Sequence, residues 1–258
     1  MSVFPVFGSW INQNMQQPLK AESKRSENVN SKDRDEMEKQ GKLWRDAEKK
    51  HPWYDAPAKV TTEEGVCHMN IELTMGLPPE ATYELFTNPN NLPLFSDKSW
   101  RQLLKNNSRK VLEEEPRHIA RLEKEVAWDF LGFYGALPIT LIVDENKKDL
   151  TASYRIGKMR FMKVFEGVYK VEPIYVDQER LCKNIEPKSR EEYERCSGGQ
   201  GKIASKVTME QHFQPYFPFN LPPVSWYIRG TIIQTTKTLL KMLQDMGAKM
   251  RASVKRPH

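Results

Sequence analysis

From Val66 to Phe213 the chain alternates apolar and polar residues in short runs, the period of half-buried strands. The first run is the clearest. Cys67, Met69, Ile71, Leu73 and Met75 alternate with Val66, His68, Asn70, Glu72 and Thr74, so one face is apolar. Gly76-Leu77-Pro78-Pro79 ends it, and proline at a first-turn position opens a short helix over 80–88 with Ala81, Leu85 and Phe86 inward. A second short helix is predicted over 97–104 on Trp100, Leu103 and Leu104. Strands are then predicted over 109–114, 118–130, 138–145, 149–156, 161–172, 175–182 and 202–213, with turns at Glu115-Pro116, Asn146-Lys147-Lys148 and Gly157-Lys158. After Pro215, Pro218 and Pro222, Pro223 sits where a helix can begin. A stripe from Val224 through Tyr227, Ile228, Thr231, Ile232, Thr235, Leu239, Met242, Leu243 and Met246 to Met250 predicts one helix over 224–251. At 1.5 Å per residue it spans on the order of 40 Å, enough to cross a sheet.

The chain before Val66 has another character. Between Lys20 and Lys50, 18 of 31 residues are charged, in both signs, which leaves too little apolar surface to offset ordering entropy. Within it Met37, Leu43, Trp44 and Ala47 recur at helical spacing, so a short helix is expected inside 32–50. The expected organisation is a polar, largely flexible extension over 1–65, a domain over 66–251 and a basic tail over 252–258.

Composition narrows the function classes. Hydrophobic residues are 38% and charged residues 29%, and no apolar stretch approaches the about 20 residues of a membrane-spanning helix. The N-terminus has no basic region before its short apolar stretch and does not read as a secretory signal. Three cysteines (Cys67, Cys182 and Cys196) are odd in number and form no C-x-x-C pair, which argues against a disulfide scaffold and a zinc module and fits a reducing compartment. A soluble intracellular protein, cytoplasmic by preference, is the expectation. The net charge is +6, and all of it lies in 229–258, where seven cations face Asp245 alone. No interleaving of basic and aromatic residues supports base stacking there, so no nucleic acid is expected. The cations Lys249, Arg251, Lys255 and Arg256 suit a helix C-terminus and an anionic membrane surface.

Enzyme motifs are absent: there is no G-x-S-x-G, H-E-x-x-H or G-x-G-x-x-G. The glycines of 198–201 do not match a phosphate loop, since Ile203 follows Gly201-Lys202. The five histidines are scattered, with His68 and His212 on polar strand faces. No catalytic residue, metal or cofactor is assigned.

The order of elements is one strand, two short helices, an antiparallel meander and one long helix. With PPEATYELFTNPNNLPLF (78–95) and MKVFEGVYKVEP (162–173), it resembles the START-like superfamily of lipid-transfer domains, pollen-allergen proteins and polyketide cyclases. GSWINQN (8–14) and QPLKAESKR (17–25) resemble a plant-specific family of unknown function within it. The resemblance implies an α+β helix-grip fold, a curled antiparallel sheet of about seven strands around a C-terminal helix, with a cavity between them.

Strand phase then nominates the cavity face. Trp128, Tyr154, Phe165, Tyr169, Met209 and Gln211 fall on it, as do Tyr227, Thr231 and Thr235 of the helix. Lys124 and Lys163 share the apolar phase of their strands. A buried ammonium needs a partner. For Lys124 that is a ligand acid, or Glu123, Glu125 or Glu166; a bulge that turns it outward is the other solution. The expected function is non-catalytic binding of a hydrophobic small molecule (lipid, isoprenoid or polyketide-like) by a carrier or sensor. The rivals are a cyclase or dehydrase with a pocket acid/base pair, and an interaction module with a filled cavity.

Overall fold

Alternation becomes sheet from Lys59 onward. The computed structural model describes residues 34–36, 38–44, 46, 59–88, 104–113, 118–130, 133–159, 161–183 and 185–254. Side chains within 104–108, 124–130, 133–137 and 252–254 lie outside this description. The strands are β1 (Lys59–Glu63), β2 (Val66–Met75), β3 (Leu104–Glu113), β4 (His118–Phe130), β5 (Phe133–Asn146), β6 (Thr151–Lys158), β7 (Met162–Tyr175) and β8 (Ile203–Pro215). The helices are α1 (Pro79–Thr87), α2 (Gln178–Leu181), α3 (Arg190–Cys196) and α4 (Val224–Val254). One antiparallel sheet runs β1-β2-β8-β7-β6-β5-β4-β3, and α4 lies across its concave face. This is the helix-grip arrangement, with eight strands rather than seven.

Two strands carry an internal proline, and each sits where a neighbour has ended. Pro138 of β5 pairs with Glu125 on β4, while β6 joins β5 only from Thr140. Pro173 of β7 pairs with Ser205 on β8, beyond the last β6 partner at Lys170. A missing N–H costs nothing on a side with no ladder.

The core is strongest where α4 meets β2, β8 and β7. Met69, Ile71, Leu73 and Met75 of β2 join Tyr83 and Leu85 of α1 and Leu240, Met246 and Met250 of α4. Two polar contacts fix the parts. Thr236 of α4 donates to Gln211 Oε1 of β8 at 3.1 Å, both groups being buried. Ser205 donates to the Leu77 carbonyl at 2.6 Å and accepts from Thr82, tying β8 to the start of α1.

Several expectations need correction. The stretch just before the expected domain start at Val66 forms a hairpin with it: Glu63 pairs with Val66, and Glu64 and Gly65 both have positive φ, the geometry of a tight two-residue turn. The sheet therefore takes in part of the expected extension. Helical residues of the 34–46 stretch contact the domain, through Glu36 with Arg180, Gln40 Oε1 accepting from the Lys202 amide at 3.2 Å, and Trp44 beneath Arg251. Gln40 is fully buried there; of the expected apolar stripe Trp44 is half-buried and Leu43 exposed, while Met37 and Ala47 lie outside the described residues. The predicted helix over 97–104 falls outside the described residues, apart from Leu104, which opens β3.

The strand predicted over 175–182 ends at Tyr175. Asp177, at φ 58°, turns the chain into α2, and the 183–201 loop contains α3. This excursion closes on Tyr193, which is buried and donates to the Val176 carbonyl. Cys182 and Cys196 are joined by one disulfide, which the odd cysteine count and the expected reducing compartment did not suggest, and Cys67 is the buried free one. Fourteen residues apart in sequence, the two are brought to a Cα separation of 4.8 Å by the return of α3. Titrating thiols in denaturant without reductant should count one per chain, rising to three after reduction; three at the outset would refute the bridge.

Candidate functional site

Three rows of side chains cross the concave face. One runs Val143–Tyr154–Gly167–Gln211–Met69 over β5, β6, β7, β8 and β2. The next runs His118–Glu145–Ala152–Tyr169–Met209–Ile71. The third carries Leu141, Ile156, Phe165 and Phe213. Gly167 has a steric reason. A Cβ there would come within 2.6 Å of Tyr154 Cζ and 2.8 Å of the Glu210 carbonyl, so glycine lets the Tyr154 ring lie flat across β7.

The buried residues on this face form separate clusters. Ile139, Leu141 and Val143 of β5 make their own cluster, apart from the one around β2, α1 and α4. Between them lie Tyr154, Phe165 and Tyr169, with Tyr154 and Phe165 rings 5.8 Å apart and Tyr169 against Phe86 at 5.5 Å. These residues are only partly covered. Yet burial pushes the Tyr154 phenol well above its usual range, and burial does the same for Tyr169, with Tyr83 and Glu145 adding to it. Tyr154 and Phe165 pack on the β5 cluster and Tyr169 on the main core, so half-covered side chains with raised phenols line the space between the two.

One end of that space carries charge. Glu145 Oε2 accepts from His118 Nδ1 at 2.9 Å and from Arg109 at 3.1 Å, and Arg109 also donates to the Thr87 carbonyl at the end of α1. The three come from β5, β4 and β3, and Glu145 is the most covered. Tyr83 donates to the Thr151 carbonyl beside them, its phenol raised by burial first and then by Glu145. Alternation alone could have flagged Arg109, His118 and Glu145, since each shares the phase of its strand's apolar residues; their convergence needs the register.

The nominated residues divide accordingly. Tyr154, Phe165, Tyr169 and Met209 lie on the concave face together. Gln211 is there too, but its carbonyl is taken by Thr236. Tyr227, Thr231 and Thr235 line one open groove of about 390 Å³ with Trp226, Gly230 and Gln234, on a flank of α4. The side of α4 that faces the sheet is instead Ile228, Ile232, Thr236, Leu240 and Leu243. Lys124 and Trp128 pair through the backbone with Ile139 and Gly135, and their side chains are outside the description. Lys163 is exposed, because a bulge between Met162 and Val164 turns it outward and buries Met162. At the far end of α4 Lys249 is exposed and Arg251 is half-buried, 5.7 Å from the Trp44 ring; Lys255 and Arg256 lie outside the described residues. His68 and His212 meet on the convex face, Nδ1 to Nδ1 at 2.6 Å, and among the described residues no group of three or more metal-binding side chains occurs.

A family model spans residues 57–253, from just before β1 to the end of α4. The chain belongs to the DUF220 family, a domain of unknown function. That span opens at the β1–β2 hairpin, which agrees with the sheet and not with a start at Val66. No curated protein is detectably similar to this DUF220 chain in sequence. Among solved structures, TTHA0849 from Thermus thermophilus is 13% identical, with 70% of this chain and 97% of the other covered and a TM-score of 0.43. Ara h 8.0201 is 15% identical, at 72% and 99% coverage and a TM-score of 0.41. The Zhui aromatase/cyclase from Streptomyces sp. R1128 is 11% identical, at 73% and 90% coverage and a TM-score of 0.38.

The tyrosines make an alkaline prediction. Tyr154, Tyr169 and Tyr83 keep their protons in the folded state at pH values where the unfolded chain, with phenols near 10.0, releases them. Unfolding therefore releases protons above pH 10, and the stability these groups contribute is complete below that pH and lost as pH rises. Absorbance titration at 295 nm should show them ionising only together with loss of structure. Smooth ionisation of every tyrosine in the folded protein would refute the desolvated face.

Proposed function

We propose that this protein binds a hydrophobic small molecule, of lipid, isoprenoid or polyketide-like type, without covalent chemistry, on the concave face between the sheet and α4. The observation that carries the reading is the half-covered aromatic row Tyr154, Phe165 and Tyr169 between the β5 cluster and the main core, with both phenols raised by burial. Apolar lining is sufficient for such a role: burying about ten methylenes supplies roughly 8 kcal/mol before entropic costs. The Arg109–His118–Glu145 group would hold the ligand's polar end, its least covered member being His118. A carrier or sensor in a plant cell is the role this supports.

The same group favours one second reading. A carboxylate and an imidazole 2.9 Å apart can pass a proton, which is what a cyclase or dehydrase requires. Arg109 weighs against it, since both oxygens of Glu145 already accept from its guanidinium, at 3.2 and 3.1 Å.

Native mass spectrometry of protein purified from plant tissue should recover a bound apolar compound. Met209→Trp, which fills the gap from β8, should lower its occupancy about tenfold or more while the fold persists. Glu145→Gln separates the readings: the carrier still yields the same compound, at lowered occupancy, whereas an enzyme accumulates substrate in place of product. Repeated recovery of no small molecule from the wild type would refute both.

A further inference from the structure

The turn between β8 and α4 displays large apolar side chains to solvent. Tyr216, Phe217, Phe219, Leu221 and Trp226 are all exposed, Phe217 at 75% and Trp226 at 69%. Exposed apolar groups are ordinary when scattered, but five within eleven residues form a patch of the kind that marks an interaction surface. Their exposure is built in. The Asn220 amide donates to Tyr216 O at 3.0 Å, Leu221 to Pro218 O at 3.1 Å, Ser225 to Leu221 O at 3.0 Å and Tyr227 to Pro223 O at 3.2 Å. The turn is thus closed on its own backbone, and its side chains point out from it.

Charge identifies the occupant. Between Glu210 and Asp245 there is no carboxylate side chain, while Arg229, Lys237 and Lys241 are present. The neighbouring β6–β7 turn is joined to the patch by the Tyr216 amide, which donates to Phe161 O at 3.0 Å. It lies in a second stretch without carboxylates, from Leu150 to Phe165, and its Lys158 and Lys163 are exposed. Glu63 and Glu64 of the β1–β2 turn lie on the other side, beyond Gln214, so the cations form one flank of the aromatic tip. An aromatic tip with a cationic flank matches the headgroup region of an anionic bilayer, where tryptophan, tyrosine and phenylalanine settle and lysine meets lipid phosphate.

We infer that residues 216–226, flanked by Lys158 and Lys163, dock this protein on anionic membranes. The groove along Trp226, Tyr227, Gly230 and Thr231 then opens at the membrane face, beside the N-terminal end of α4. This places the contact about 35 Å along the helix from Lys249, so the aromatic tip and the basic C-terminal end cannot share one flat surface when α4 stands upright on it. The surface is independent of what the concave face binds.

Flotation of the full chain with vesicles of phosphatidylcholine, alone or with phosphatidylserine, tests this. Wild type should bind the anionic vesicles, and brominated lipids should quench a component of tryptophan fluorescence that Trp226→Phe removes. Phe217→Ser combined with Trp226→Ser should weaken binding about tenfold or more at any salt concentration, with an unchanged melting curve because both side chains are exposed. Lys158→Glu with Lys163→Glu should weaken binding only to anionic vesicles and only at low salt. The inference is overturned if wild type binds neither vesicle, if the aromatic variant binds as wild type does, or if only Lys249→Glu abolishes binding. It is also overturned if the patch proves to join two copies, seen as a dimer in light scattering that the aromatic variant dissolves. Ligand recovery from the same variants stays a separate measurement, so loss of docking and absence of cargo are told apart.

Discussion

An α-helix is about 10 Å across, and eight strands spaced about 4.8 Å apart make a sheet roughly 34 Å wide. One helix cannot cover such a face. Curling brings the sheet's edges toward α4, and among the described residues its main contacts are with β2, β8 and β7, where Leu240, Met246 and Met250 join the strand residues, with Ile228 and Ile232 reaching Ile156 of β6. The β5 side, with Ile139, Leu141 and Val143, is left with its own cluster. Everything of functional interest on the concave face follows from that mismatch of widths. Side chains between the two clusters, Tyr154, Phe165 and Tyr169, are only half-covered.

Polar contacts decide where the helix rests. Thr236 bonded to Gln211 sets the rotation of α4, which sends Ile228, Ile232 and Leu240 inward and Tyr227, Thr231 and Thr235 to the flank. At the other end the N-terminal helical residues and the 176–202 excursion meet, through Gln40 on Lys202, Glu36 on Arg180 and Trp44 beneath Arg251. Gly76 permits the last of these, since a Cβ there would clash with both the Trp44 indole and the Arg251 guanidinium. A cation expected at a membrane is here occupied by an aromatic ring of its own chain.

The strand pattern was legible because a half-buried sheet writes its burial into sequence at period two. The runs at 66–75, 118–130 and 202–213 were all placed within a few residues. β1 was missed because KVTTE has one apolar residue and pairs on one side only, which leaves almost no periodic signal. The run at 175–182 misled because Tyr175, Val176, Leu181 and Cys182 are strand-like residues, whereas Asp177 adopts a left-handed conformation that propensity does not anticipate. Lys163 was misphased by a bulge, which shifts parity without changing composition. The Arg109–His118–Glu145 group was hidden for another reason: its members are 9 and 27 residues apart, and only the β3–β4–β5 register brings them together.

The most direct test of the uncovered face is methyl NMR of the protein titrated with a small apolar probe such as anilinonaphthalene sulfonate. The account predicts that methyl signals of Ile139, Leu141, Val143, Ile156 and Ile232 shift and saturate together, while those of Ile71, Leu73 and Leu77 stay in place. Shifts spread evenly over both clusters, or none on the β5 side, would show that the face is filled and would contradict it.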